Sequence, residues 1–234
     1  MLKELKRVTH PARRAIAAAI CPSIVSYSAS GEDLLSWSWI SALEPEPSKI
    51  RYLDIGAAHP SRLSNTFLFY ARGSSGVLVE PDPDQAAALA AARPRDIIID
   101  AGIAFDDRRS ATLFKTTNPL FNSFSREQAE SIVKQSQSWH PSQRQKIEGS
   151  IETKLVSANE ILEEHFEGAP LHLLSIDAEG ANFDIFRSID FGRFSPMVIC
   201  IEAQASIENH LRALGGAYRL IFQSPENFMF ARGT

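Results

Sequence analysis

Residues 52–83 read YLDIGAAHPSRLSNTFLFYARGSSGVLVEPDP, and this stretch decides the fold. An apolar run ends in Asp54-Ile-Gly56, an amphipathic segment follows, and a second apolar run ends in Glu80. That is strand, glycine turn, helix, strand, acid: the βαβ half that binds a mononucleotide. Gly56 lets backbone approach a ligand, and Glu80 stands where an acceptor for ribose hydroxyls is expected. Two carboxylates at neighbouring strand ends favour a ligand that brings positive charge or hydroxyl donors over one that brings phosphates.

Alternation continues outward from this unit. Strands are predicted at 50–55, 76–80, 96–100, 171–176, 197–201, 218–223 and 228–232, and helices at 63–71, 83–92, 158–166, 181–189 and 205–214. Pro83 suits a first helical turn, Ser157-Ala-Asn-Glu160 is a capping box, and Gly215-Gly216 stops the last helix. The last two strands, joined by SPEN, predict one antiparallel hairpin on an otherwise parallel sheet. Upstream, 31–40 (GEDLLSWSWI) reads as a short helix with Ser30 as N-cap and Glu32 and Asp33 in its first turn. Residues 1–48 are therefore expected to form a helical extension and 49–234 one α/β domain. Residues 102–149 are expected to be an insertion or lid, with a strand at 111–115 and a polar helical stretch near 126–146, followed by a strand at 152–156.

Composition narrows the function. The chain has 234 residues, 44% of them hydrophobic, which suits one sizeable core. A net charge of -4 offers no general attraction to nucleic acid. Two cysteines, Cys21 and Cys200, support neither a disulfide framework nor a thiolate metal site and predict a reducing, cytoplasmic setting. The basic N-terminal segment, with Lys3, Lys6, Arg7, Arg13 and Arg14, is interrupted by Pro11 and does not read as a secretory signal; its basic face is read as solvated, with contact to an anionic membrane surface as the alternative. No run approaches the roughly 20 apolar residues of a membrane span.

Acids fall at five strand ends: Asp54, Glu80, Asp100, Asp177 and Glu202. The turn DIGAAHP lacks the second and third glycines of G-x-G-x-x-G, which argues against a pyrophosphate, and no tyrosine is followed four residues later by lysine. S-adenosylmethionine suits these features: it has a ribose and adenine, no phosphate, and a sulfonium that tolerates carboxylates.

The segments YSASGEDLL, LDIGAAHPSRLSNTFLFYARGSSGVLVEPDPD, LLSIDAEGANFDIFRSIDF and MVICIEA resemble, in that order, the FkbM-type methyltransferases. The resemblance implies a Rossmann-like class I methyltransferase fold with a seven-stranded, mostly parallel sheet and an antiparallel last strand. It implies an S-adenosylmethionine-dependent O-methyltransferase acting on a hydroxyl of a sugar, glycan, lipo-oligosaccharide or secondary metabolite. Asp54, Gly56 and Ala57 would line the methionine side of the cofactor, with Asn65 in the same SNT motif. Glu80 would hold the ribose, Asp100 and Ala101 would flank adenine, and Asp177 and Glu179 would face the methyl group and acceptor. His59 stands where the family more often has another residue and is a further catalytic candidate, alongside its bland reading as a turn histidine.

An aliphatic hydroxyl is so weak an acid that methylation needs a base or a metal, so Asp177 with Glu202 is also a candidate Mg²⁺ site. His140, His165 and His172 are weaker candidates. The alternatives are a nicotinamide-dependent oxidoreductase, which accounts only for the βαβ half, and a non-catalytic S-adenosylmethionine-binding module. Homo-oligomerisation stays open.

Overall fold

The computed structural model describes residues 25–233. The expected N-terminal helix, its five basic residues and Cys21 lie outside the described residues.

A seven-stranded sheet carries the molecule. Its strands are β1 (Arg51–Ile55), β2 (Ser75–Glu80), β3 (Ile97–Asp100), β7 (Leu173–Ile176), β8 (Val198–Glu202), β9 (Tyr218–Gln223) and β10 (Asn227–Arg232). Their spatial order is β3-β2-β1-β7-β8-β10-β9. The first five run parallel, and β10 slots antiparallel between β8 and β9. The order reverses at β1, where the chain leaves for β2 on one side and β7 lies on the other, which makes the crevice beyond β1 and β7 the ligand position of an open α/β sheet.

Period-two alternation sorts the side chains into two layers. Leu53, Ile55, Ile199, Ile201, Phe228 and Phe230 face one side, under α5 (Ala158–Phe166) and α6 (Asn182–Ser188). Tyr52, Val198, Cys200 and Met229 face the other, under α1 (Glu32–Ser41), α2 (Phe67–Ala71) and α3 (Pro83–Ala92). His210, in α7 (Ile207–Ala213), is buried in the first layer, stacked on Phe230, with Nδ1 2.9 Å from the Ser206 carbonyl.

A second, three-stranded sheet stands beyond β3. In it β6 (Ile147–Ser157) pairs parallel with β4 (Gly102–Ala104) and antiparallel with β5 (Ser110–Thr116). Helix α4 (Arg126–Ser136) follows β5.

Several helix starts differ from expectation. The capping box of α5 and the Pro83 start of α3 are as read, the latter with Asp82 as N-cap. At α1, however, Gly31 in the left-handed region is the N-cap, and Ser30 instead donates its backbone N–H to Glu32. Helix α2 begins at Phe67 rather than 63, because the Ser64 hydroxyl accepts from the Thr66 and Phe67 amides and holds a turn. Glu32 and Asp33 stand in the first turn as read, and both are fully buried there. Asp33 gathers Ser26, Tyr27 and Ser28, and Glu32 accepts from Ser224 and Asn227 of the β9–β10 hairpin.

Candidate active site

A cavity of about 560 Å³ opens at the carboxyl ends of β1, β2, β7 and β8. Its floor is Gly56, Ala57, Asp177 and Ala178, one wall is Glu80 with Ala101, and the opposite rim is Glu202 with Glu226 and Asn227. The small sheet and the segment before α4 supply an apolar wall: Ile103, Leu113, Phe121, Phe124 and Leu155. Apolar walls with a few convergent polar groups are the usual make-up of a small-molecule site.

Gly56 is required where it stands. Its φ is +81°, and a Cβ there would lie 1.8 Å from the Asp177 carbonyl oxygen. The β1 turn thus abuts the end of β7, which brings Gly56 and Asp177 side by side at the cavity. Ala58, next along, also has positive φ, and its N–H donates to Glu80 at 2.8 Å. The second Glu80 oxygen accepts from the Asp82 amide at 2.9 Å. Glu80 is 5% exposed, and burial, with Asp82 and Asp100 nearby, lifts its pKa to about 7 despite those two bonds.

Asp177 lies at the cavity floor, and among the described residues nothing donates a hydrogen bond to its carboxylate. Burial first, then the charges of Glu202 and Asp54, raise its pKa to about 7. Glu179 sits two residues on, at φ 39°. Burial and the Asp177 charge raise it to about 8. Glu202 accepts from the Asn182 side-chain amide and is also raised, mainly by burial. Three carboxylates held at one sheet edge with elevated proton affinity are what a site does when it is built around a cation or must take up a proton.

Asp54 is placed differently from its neighbours. It shares the parity of Tyr52, so its side chain turns to the α2–α3 layer and is absent from the cavity lining. There it accepts from Thr66 at 2.6 Å, and Thr66 in turn accepts from Arg93. Arg93 is fully buried, paired with Asp96 at 2.7 Å and bonded to the Tyr52 hydroxyl. A buried guanidinium so fully partnered fixes geometry more than it adds stability. Asn65 lines the cavity and donates to Ser175 at 3.2 Å.

Asp100 ends β3 exposed and outside the lining, whereas Ala101 is buried and lines it. His59 also lies outside the lining; its Nδ1 accepts from the Ser61 and Arg62 amides, which makes it a turn cap. His172 accepts from the Arg51 amide, and His140 caps the turn at 141–143, its ring accepting from Ser142. His165 lies late in α5, its carbonyl accepting from Arg51.

The metal reading does not fit. Among the described residues no group of three or more His, Cys, Asp or Glu converges to hold an ion, and one Glu202 oxygen is engaged by Asn182 and Gln204. Nor, among those residues, is any helix long and apolar enough to cross a membrane.

Sequence reasoning did not single out Ser123, Gln128, Glu226 or Asn227. Ser123 and Gln128 belong to the polar stretch read as lid, and only the hairpin register, Asn227 opposite Glu202, brings the last two to the site.

A family model described as "Methyltransferase FkbM domain" matches residues 54–224. Among solved structures, the chain is similar to an FkbM methyltransferase from Methylobacillus flagellatus (12% identity, TM-score 0.44, covering 94% of this chain and 58% of that one). It is also similar to an O-methyltransferase from Bacillus cereus in complex with S-adenosylhomocysteine (14%, TM-score 0.43, 96% and 89%). A third is a TehB-like S-adenosylmethionine-dependent methyltransferase from Corynebacterium glutamicum (12%, TM-score 0.41, 95% and 96%). No curated protein matches the chain.

Proposed function

The chain belongs to the FkbM methyltransferase family, and on that premise we propose that it is an S-adenosylmethionine-dependent O-methyltransferase whose acceptor is a hydroxyl of a sugar, glycan, lipo-oligosaccharide or secondary metabolite. The observation that carries this reading is Asp177: a carboxylate on the cavity floor, free of donors among the described residues, beside the Gly56 turn, with pKa about 7.

Bound in the cavity, S-adenosylmethionine supplies an electrophilic methyl group on a cationic sulfur. Glu80 accepts from the ribose hydroxyls with the lone pairs that Ala58 and Asp82 leave free. Gly56 and Ala57 admit the methionine end, and Ala101 with the apolar wall packs on the adenine. Asp177 accepts the acceptor's O–H proton as the oxygen forms its bond to the methyl carbon. The bound cofactor would supply the methyl group, with the S–CH₃ electron pair staying on sulfur. Charge balances: a sulfonium and a carboxylate become a thioether and a carboxylic acid. A base titrating near 7 in the free protein is about half ionised at neutral pH, and a cationic sulfur beside it favours the ionised form that can take a proton. Burial, and after it the charges of Glu202 and Asp54, hold Asp177 in that range. Residues 102–149, which supply most of the apolar wall, act in this reading as the lid that keeps water from the methyl group.

Melting curves with S-adenosylhomocysteine and with NAD test the class, since a ligand that binds only the native state raises Tm by mass action. Stabilisation by S-adenosylhomocysteine alone is expected, and stabilisation by NAD alone sinks the reading. Release of S-adenosylhomocysteine from S-adenosylmethionine over a panel of hydroxyl and amine acceptors then tests the oxygen specificity. Turnover confined to amines refutes it.

A further inference from the structure

The segment Asn118–Gln128 crosses the cavity and touches both of its working edges. Asn122 donates from its side-chain amide to Asp82 at 2.8 Å, and the Asp82 backbone N–H holds Glu80. Lys115 reaches the other Asp82 oxygen at 3.0 Å, so β5 is anchored to the same loop. The next residue, Ser123, is buried and turns to the opposite edge. Its hydroxyl lies 3.2 Å from the Glu179 carbonyl and 3.1 Å from Gln128 Oε1, sharing its one proton between them. Gln128 closes the triangle, its Nε2 donating to Glu179 Oε2 at 3.3 Å.

The loop so held is strained. Glu179 has φ 39°, a conformation unfavourable for a non-glycine residue that persists only where the surroundings over-determine it. Gly180 follows at φ +103°, and a Cβ there would fall 2.0 Å from Gln128 Oε1. The Gln128 amide therefore packs against Gly180, and a Cβ there would displace it. Together these contacts fix the Glu179 backbone, its side chain and the space above its neighbour from a single element.

We propose that Ser123 and Gln128 are positioning residues for methyl transfer, which hold Glu179 in its left-handed conformation so that its carboxylate stands beside Asp177. Asn122, their neighbour in the chain, fixes the Glu80 loop, so one short segment sets the spacing between the ribose side and the acceptor side of the cavity. This rests on the methyl-transfer reading for its purpose, but its geometry is open to test without an acceptor.

The test is a titration of the full-length protein labelled with [¹³C]carboxyl glutamate, following the Glu179 carboxyl resonance. Gln128→Met keeps the length of the side chain over Gly180 and removes both amide hydrogen bonds. Because a donated hydrogen bond favours the charged carboxylate, its loss is expected to raise the proton affinity of Glu179 by about three- to tenfold. Ser123→Ala is expected to speed amide hydrogen exchange in peptides covering 177–182 by about tenfold, through loss of the anchor on the Glu179 carbonyl. An unchanged Glu179 midpoint together with unchanged exchange, in proteins that melt like the wild type, overturns the proposal; if Gln128→Met does not fold, the Ser123→Ala result decides alone. Failure of S-adenosylhomocysteine to stabilise the wild type counts against the methyl-transfer reading, whereas stabilisation with an indifferent Glu179 loop counts against the positioning role only.

Discussion

Binding of the charged cofactor should expel a proton that its neutral product does not. With Asp177 titrating at about 7 and Glu179 at about 8, the pair carries on the order of one proton at pH 7.5 in the free protein. A sulfonium about 5 Å away, at an effective dielectric of about 20, favours each carboxylate by roughly 3 kcal/mol, or about two pKa units. Both groups then ionise, and about one proton leaves per S-adenosylmethionine bound. The sign follows: the ligand prefers the deprotonated site, so its affinity rises with pH, by about tenfold per unit near pH 7.5, and flattens above about pH 9. S-adenosylhomocysteine carries the same amino and carboxylate groups but no sulfonium, so the difference between the two isolates the site carboxylates. Calorimetry in phosphate and in Tris, whose ionisation enthalpies differ, reads the proton count directly. Equal proton release for the two ligands would refute the placement of the sulfonium beside Asp177 and Glu179.

Glu80→Ala should weaken S-adenosylmethionine at least tenfold by calorimetry, since ribose hydroxyls lose a charged acceptor worth about 1.5 to 3 kcal/mol per bond; an unchanged Kd would leave Glu80 a loop fastener for Ala58 and Asp82 only. Asp177→Asn should lower turnover by about 10² or more with S-adenosylhomocysteine affinity within a few fold, and EDTA should leave the wild-type rate unaltered. Recovery of a chelated enzyme by Mg²⁺ would restore the metal reading that the geometry disfavours. Gly56→Ala should cost about 1 to 3 kcal/mol in urea unfolding, because φ +81° and the Asp177 carbonyl leave a methyl group no place. Burial holds the His210 imidazole below its usual range, so the unfolded chain binds the extra proton as pH falls through about 6.5; stability present above that pH is lost below it, and His210→Phe should flatten the acid limb of a Tm profile.

The parallel frame was legible because its signals agree across levels. In β1 and β2 an apolar run meets a turn residue and an acid, Pro83 opens α3, and Ser157 with Glu160 opens α5. The second sheet was less legible for a physical reason. The strand β6 reads IEGSIETKLVS, polar through most of its length because it is covered on little of its surface, and β4 is only three residues long. At the site, Glu80 and Asp177 were readable as strand-end acids, yet Asp54 shows where that reasoning stops. Being a strand-end acid gives position along the strand, while facing is set by parity, and Asp54 has the parity of the buried Tyr52. That signal was in the sequence. His59 could also have been read as a cap, since His-Pro-Ser-Arg is turn chemistry and its ring needs only two following amides. Nothing local marks Ser123 or Gln128 for the site, because the partner they share there, Glu179, lies more than fifty residues away.

The insertion of β10 between β8 and β9 has a consequence for how the protein is made. During synthesis β9 emerges before the strand that must separate it from β8, so it has no proper partner until residues 227–232 have followed it out. Until then the β8 edge is bare, and pairing of β9 directly on β8 would be a register trap. Glu32 waits as well, since its partners Ser224 and Asn227 lie 192 and 195 residues further along the chain. A nascent chain released before Phe228 would therefore lack β10, leave β9 without its partner, and present the apolar β8 edge to chaperones.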